Sequence, residues 1–268
     1  MRAVLKTIGI LFAKTAYALG IRKMVTLENL KKAFPTLSLQ KQKEIAKGAY
    51  KNLGIVFSEM LYLRFASSKN IAKHISITNA ELFHALLMQK RGLIVVAGHF
   101  ANWEWLALGG AAVLQRNFAI VRKNISTSFT ERFLERMRIR TGNTLVNSGD
   151  IRKMYRILLE GCCLALLADQ AAPGESIRVA FLGREVPTFE GPARLALHTR
   201  APMLFAETIR QKNGDYSITF DPIPFDDLQG VSDENIRELT YRHSHLLEQA
   251  ICKHPEQWLW QHRRWKYV

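Results

Sequence analysis

Short apolar runs at residues 93–97, 118–121, 144–146, 163–168 and 203–208 alternate with segments of helical periodicity at about 102–115, 125–140 and 149–160. Apolar runs of this length, without polar alternation, suit strands buried on both faces, and strands separated by single helices pair in parallel. The alternation therefore predicts an α/β fold, a mainly parallel sheet flanked by helices. Residues 216–220 read as one more strand, antiparallel to its predecessor through the turn Lys212-Asn213-Gly214-Asp215, and 232–253 as a closing helix. Two helical regions come first, 1–21 and about 38–66. The second opens at Ser38 as a cap and carries Ile45, Tyr50, Leu53, Phe57, Met60, Leu61 and Leu63. The chain is thus divided into an N-terminal helical region, 1–69, and an α/β region, 70–268, expected to form one continuous structural unit.

The 268 residues include 38 Lys and Arg against 23 Asp and Glu, a net charge of +15 with a pI near 9.9. A surface that basic attracts phosphates, anionic lipid or an acidic protein, and charge alone does not choose among them. Residues 1–60 hold eleven of the basic residues against three glutamates. Within them Leu5, Ile8, Leu11, Phe12 and Leu19 gather on one side of a helix that also carries Lys6 and Lys14. That pattern fits a helix lying in a membrane interface or one packed on the protein's own core. The longest stretch free of charge is the twelve residues 92–103, whereas a spanning helix needs about 20 apolar residues, so no transmembrane helix and no secretory leader is expected. Cys162, Cys163 and Cys252 are too few for a zinc ligand set, and their odd number does not suggest a disulfide framework; a reducing compartment is expected. Cys162 and Cys163 lie on an apolar run and read as core.

Ligands of open α/β sheets gather beyond the carboxyl ends of strands. The richest such place is Gly98-His99-Phe100-Ala101-Asn102-Trp103-Glu104. Residues five apart on one helix lie about 140° apart around its axis, so His99 belongs to the turn. Asn102 can cap the following helix, with Glu104 in its first turn and able to reach back toward the imidazole. A carboxylate holding one ring nitrogen leaves the other as a base. A histidine after a strand also serves as a packing or capping residue, and glutamate is common in a first helical turn. No G-x-S-x-G, Walker A, G-x-G-x-x-G or H-E-x-x-H pattern competes with it.

The same block resembles the H-x4-E motif of glycerolipid-type acyltransferases, and its wording is similar to the bacterial lipid A biosynthesis acyltransferases, the lauroyl and myristoyl transferases. The likeness continues in order through Glu28-Asn29-Leu30 with Ala33-Phe34-Pro35, Asp169-Gln170, Phe181-Leu182-Gly183-Arg184, Gly191-Pro192-Ala193 and the ending Pro255-Glu256-Gln257-Trp258-Leu259-Trp260-Gln261-His262-Arg263-Arg264-Trp265-Lys266, about residues 22–266. The resemblance implies acyl transfer from an acyl-thioester, on acyl carrier protein or coenzyme A as co-substrate, to a hydroxyl of a lipid A precursor or similar glycolipid. It implies no metal and no other cofactor. It makes His99 the general base and Glu104 its orienting partner, and it places Arg122 where the family's phosphate-gripping basic residue lies. Asp169, Gln170, Arg184 and Gly191 are further candidates for substrate binding; turn capping is the alternative for Asp169 and a helix start for Gly191, as a solvated surface charge is for Arg122.

The resemblance further implies the cytoplasmic face of the bacterial inner membrane. Because Lys6 and Lys14 interrupt the opening helix, peripheral or monotopic attachment to the anionic surface is expected. Trp258, Trp260 and Trp265 among His262, Arg263, Arg264 and Lys266 suit a membrane interface. Two alternatives remain open at this point: a lysophospholipid or glycerol-phosphate acyltransferase, and a basic nucleic-acid-binding protein. No nucleic acid is expected as partner, since no recognisable binding module is present.

Overall fold

Leu93–Ala97 is buried along its whole length and lies at the centre of a seven-stranded sheet. The computed structural model describes residues 2–123 and 129–268. In chain order the strands are β1 (Ile75–Ile77), β2 (Leu93–Ala97), β3 (Phe118–Arg122), β4 (Thr144–Asn147), β5 (Cys163–Leu167), β6 (Arg178–Phe181), β7 (Arg184–Pro187), β8 (Met203–Arg210) and β9 (Tyr216–Pro222). The helices are α1 (Arg2–Ala18), α2 (Lys23–Ala33), α3 (Leu39–Phe65), α4 (Ser68–Ala72), α5 (Ala80–Leu87), α6 (Trp103–Leu114), α7 (Phe129–Arg138), α8 (Ile151–Leu159), α9 (Gly191–Thr199) and α10 (Asp233–Lys253). The expected helix at 125–140 is represented by α7, and 124–128 lie outside the described residues.

The sheet order is β1-β9-β8-β2-β5-β3-β4. β8, β2, β5, β3 and β4 run parallel. β9 is antiparallel to β8 and parallel to β1, so the last two strands reverse the direction of the rest. The turn at 212–215 joins β8 to β9 as the sequence predicts. The hairpin β6–β7 is a separate two-stranded sheet that the sequence reading did not separate out. Its turn, Leu182 at φ 48° and Gly183 at φ 74°, has both central residues in the left-handed region, as a tight two-residue hairpin requires. The Phe-Leu-Gly-Arg segment is therefore this turn. Cys163 is buried on β5, but Cys162 precedes the strand and is exposed, which corrects the expectation that both lie in the core.

The N-terminal helices are bonded into the same body. α1 lies antiparallel on α3, where a Cβ on Gly9 would run into the carbonyl oxygen of Gly54, and one on Gly54 into that of Gly9. Only glycine at both positions lets the two backbones touch. This contact leaves Val4, Ile8, Leu11 and Phe12 of α1, and Phe57, Leu61 and Phe65 of α3, exposed. Of the apolar residues that mark α3 in the sequence, Phe57 and Leu61 thus point outward.

At the α1 end of that contact Glu59, 2% exposed, collects donors from four elements. Arg2 gives Nε and Nη2 to Oε1 at 3.1 and 3.0 Å. Asn102 Nδ2, Trp105 Nε1 and Tyr216 Oη donate to Oε2 at 3.1, 3.0 and 2.5 Å. A carboxylate removed from water survives only with such a full set of partners. Glu59→Ala leaves Arg2 without its buried counter-charge and should cost about 3–5 kcal/mol of stability, whereas Glu59→Gln, which keeps the shape and an acceptor, should cost less; urea denaturation of the two variants measures the difference.

Candidate active site

The register of the two central strands brings the site together. Ala97 of β2 pairs with Leu167 of β5, so the second residue beyond each strand, His99 and Asp169, meet at the carboxyl edge of the sheet. His99 Nδ1 lies 2.7 Å from Asp169 Oδ1, and the His99 backbone N–H donates to Oδ2 at 2.8 Å. The Trp258 indole N–H donates to the same Oδ2 at 2.9 Å. Burial alone would raise the Asp169 carboxyl, but the charge of the imidazole and these three hydrogen bonds outweigh it and hold the group down at about 2. An ionised carboxylate accepts only, so in the neutral ring Nδ1 carries the proton and Nε2 keeps its lone pair. Gln170 Nε2 lies 3.3 Å from that nitrogen, and the edge of Trp103 packs on the ring with centroids 4.7 Å apart.

The turn that carries His99 is clamped from all sides. A Cβ at Gly98 would come within 2.7 Å of Leu247 Cδ1 and 3.3 Å of Asp169 Oδ2, so glycine lets β2 end this close to α10 and to the carboxylate without displacing the Leu247 side chain. Ala101, wholly buried, holds φ 47°, a left-handed conformation that persists only where its surroundings over-determine it. Its N–H donates to Gln257 O at 2.7 Å, and its carbonyl accepts from Asn52 Nδ2 at 3.1 Å. Phe100 bridges antiparallel to Trp258, and the Leu259 N–H donates to His99 O at 3.1 Å. Asn102 caps α6 by accepting from the Glu104 N–H at 3.2 Å, as the sequence predicts.

Glu104 sits in the first turn of α6, but it does not hold the imidazole. Both of its oxygens are taken by Arg138 of α7, Nε to Oε2 at 2.9 Å and Nη2 to Oε1 at 2.5 Å. Burial would lower the Arg138 guanidinium, and the Glu104 carboxylate beside it more than offsets this and raises it. The expectation that Glu104 orients His99 is corrected: strand pairing delivers Asp169 to the ring, and Glu104, 1% exposed, balances a buried arginine instead. Arg122 ends β3 as expected, but its guanidinium is held between two carboxylates of α7, Glu131 and Glu135, the latter at 2.5 Å. Arg184 is exposed on β7, where Nε donates to Lys32 O at 3.3 Å, and Gly191 is an exposed first residue of α9 with Pro192 after it. The structure therefore unites His99, Asp169 and Gln170; it sets Glu104 and Arg122 in ion pairs on α7, and Arg184 and Gly191 belong to neither set.

The tryptophans of the C-terminal segment are corrected as well. Trp258, Trp260 and Trp265 are all buried and stack on one another and on Phe181. Arg264 is buried with them, donating to Pro187 O and Thr188 Oγ1 at 2.6 Å each and lying 5.0 Å from the Phe181 ring. A water-sized cavity beside Asp169 is lined by His243, Ser244 and Arg264. Burial, with the Arg264 charge, pushes His243 down to about 3, and burial pushes Arg264 down to about 10 against the pull of Asp169. At neutral pH the cavity thus faces a neutral histidine and a charged arginine. Trp258 and Arg138 were not singled out from the sequence as site residues. The available signal was chemical, since a buried indole N–H or guanidinium needs an acceptor, but nothing in their spacing says which one.

The profile of the family described as bacterial lipid A biosynthesis acyltransferase matches residues 1–267. The chain belongs to this family. It is 24% identical over 250 residues to the lipid A biosynthesis palmitoleoyltransferase of Escherichia coli (strain K12), covering 91% of this chain and 79% of that one. A lipid A biosynthesis acyltransferase of Shigella flexneri is equally similar. The lipid A biosynthesis lauroyltransferase of Escherichia coli (strain K12) is 23% identical over 252 residues, covering 91% of this chain and 79% of that one. As a member of the family the chain is an O-acyltransferase, and the ordered motifs that resembled it fall in the clamped turn, on the hairpin, at the start of α9 and in the C-terminal segment.

Asp169 is depressed from about 3.8 in the unfolded chain to about 2 in the fold. The unfolded state therefore takes up the proton first. The carboxylate contributes about 2 kcal/mol that is present above pH 4 and lost as pH falls through the folded value near 2. Asp169→Asn should flatten the stability profile across that window. Trp258→Phe, which keeps a ring but loses the donor, should reduce the slope; chemical denaturation between pH 5 and 2 reads both.

Proposed function

We propose that the chain moves a fatty acyl group from an acyl-thioester, carried on acyl carrier protein or coenzyme A, to a hydroxyl of a lipid A precursor or similar glycolipid. His99 acts as general base and Asp169 as the residue that positions it. One observation carries this reading: in a chain of this family, Asp169 fixes Nδ1 of His99 and so leaves Nε2 as a base at the carboxyl edge of the sheet. In the reaction Nε2 takes the acceptor's hydroxyl proton while the oxygen bonds to the thioester carbon, whose π electrons move onto its oxygen. That intermediate collapses with loss of the C–S bond, the thiolate leaves with the electron pair, and the imidazolium returns the proton to it. The balance is one ester and one free thiol from one thioester and one alcohol.

His99→Ala should lower acyl transfer by about 10²- to 10⁴-fold while the protein stays folded at the assay temperature; its melting temperature should fall, because Asp169 loses the ring as a buried donor. A purified assay with an acyl-thioester and a lipid A precursor, run beside a lysophospholipid acceptor, tests base and acceptor class together. Near wild-type transfer by His99→Ala would remove the base from this reading, and preference for the lysophospholipid would move the acceptor.

The same reading puts the protein on the cytoplasmic surface of the bacterial inner membrane. No single helix among the described residues is long and apolar enough to cross a bilayer; α1 and α2 meet that test only together, and they are bent by 86°. What supports peripheral attachment is the outward apolar face of α1 joined by Phe57, Leu61 and Phe65 of α3, with exposed Lys14, Lys47 and Lys51 on the same helices. Apolar burial and attraction to anionic headgroups then add. The double variant Phe12→Glu and Phe57→Glu should lose most of its co-flotation with phosphatidylglycerol-containing vesicles at unchanged melting temperature. Undiminished flotation would place the attachment elsewhere.

A further inference from the structure

The reaction creates a negative charge on the thioester oxygen next to His99, and the groups nearest the turn are already committed. The backbone N–H of His99 is given to Asp169 Oδ2, that of Phe100 to Gly98 O at 2.8 Å and that of Ala101 to Gln257 O at 2.7 Å. The Leu259 N–H is given to His99 O. Arg138 holds Glu104 through Nε and Nη2, and Arg122 holds Glu131 and Glu135 with its two terminal nitrogens, its Nε buried without a partner. The usual source of such stabilisation, a pair of turn N–H groups, is therefore closed at these residues.

Gln170 is the next residue after Asp169, half-buried, with its amide nitrogen 3.3 Å from Nε2 of His99. Since Asp169 has claimed the Nδ1 proton, Nε2 of the neutral ring presents a lone pair, and an amide oxygen facing it would be repelled. The carboxamide thus points its N–H at the base. It occupies the seat that the acceptor hydroxyl must take. We propose that Gln170 is the oxyanion donor of this site: the acceptor hydroxyl displaces the amide from Nε2, and its N–H turns to the thioester carbonyl oxygen as that oxygen becomes negative. The proton transferred is still the acceptor's, and Gln170 keeps both of its own. It supplies a hydrogen bond that strengthens only as charge develops, so it contributes to the rate rather than to substrate binding.

This proposal rests on His99 being the base, and the test separates the two. The measurement is thiol release from lauroyl-coenzyme A in the presence of a lipid A precursor, comparing wild type with Gln170→Ala, Gln170→Glu and His99→Ala. Loss of one oxyanion donor lowers kcat by about 10²- to 10³-fold. Gln170→Ala should fall in that range with KM for the thioester within about threefold of wild type. Gln170→Glu has the same shape and no amide donor, and should fall at least as far. If Gln170→Ala fails to fold, as judged by its melting curve, the isosteric Gln170→Glu decides in its place. Wild-type kcat in Gln170→Ala, or a lower KM for the acceptor with kcat kept, would show that the amide only occupies the seat, and the proposal falls while an inactive His99→Ala leaves the base intact. An active His99→Ala overturns the base, and this proposal with it.

Discussion

The carboxylate of Asp169 is the charge around which the rest of the site is built. It is buried, and a buried carboxylate is tolerable only when nearly every lone pair has a donor. Its three donors come from two stretches of chain far apart in sequence: the ring and backbone of His99 after β2, and the indole of Trp258 in the C-terminal segment. Satisfying one charge therefore fixes the turn, the tautomer of the imidazole and the docking of the last dozen residues at once. The left-handed Ala101 fits the same constraint, because the Gln257 and Asn52 bonds that hold it belong to the elements that close over Asp169.

Two further buried carboxylates extend this pattern. Glu104 neutralises Arg138 and anchors α7 to the start of α6. Glu59 joins α1 and α3 to Asn102, the cap of the same helix, and to Tyr216 on β9. Each lies within a few residues of the turn bearing His99 or bonds directly to its flank. A chain with net charge +15 places these anions inside, where each draws cations or N–H donors from a different element, and leaves much of its cationic excess at the surface.

The sheet was legible because its signal is local. β2 is uniformly apolar since both of its faces are buried, and the runs that became β3, β5 and the first half of β8 carry the same mark. The antiparallel β9 was announced by its turn. The partner of His99 was not legible in the same way: the nearest carboxylate in sequence, Glu104, lies on a helix that starts beyond the turn, whereas Asp169 is seventy residues away and adjacent only through the β2–β5 register. The C-terminal tryptophans misled for a different reason. Rings interleaved with cations describe a membrane interface and a buried cation–π stack equally well, and only the tertiary packing of Arg264 on Phe181 separates the two. Conversely, the outward turn of Phe57 and Leu61 was hidden because the apolar pattern of α3 does not say which of its residues faces α1, which faces the sheet and which faces neither.

That last point bears on the apolar surface that α1 and α3 share. The Gly9–Gly54 contact brings two helix backbones together, so their apolar flanks form one surface rather than two ridges. α3 carries Phe57 and Leu61 on that surface, and through Asn52 it bonds to Ala101 O and Gln257 O, two carbonyls of the clamp around the turn bearing His99. The distance between these positions along α3 is short, five residues from Asn52 to Phe57, about 7.5 Å of helix rise. On the proposed peripheral attachment, the pose of α3 at the interface sets the pose of this turn, because one helix carries both the exposed apolar residues and the Asn52 bonds to Ala101 O and Gln257 O.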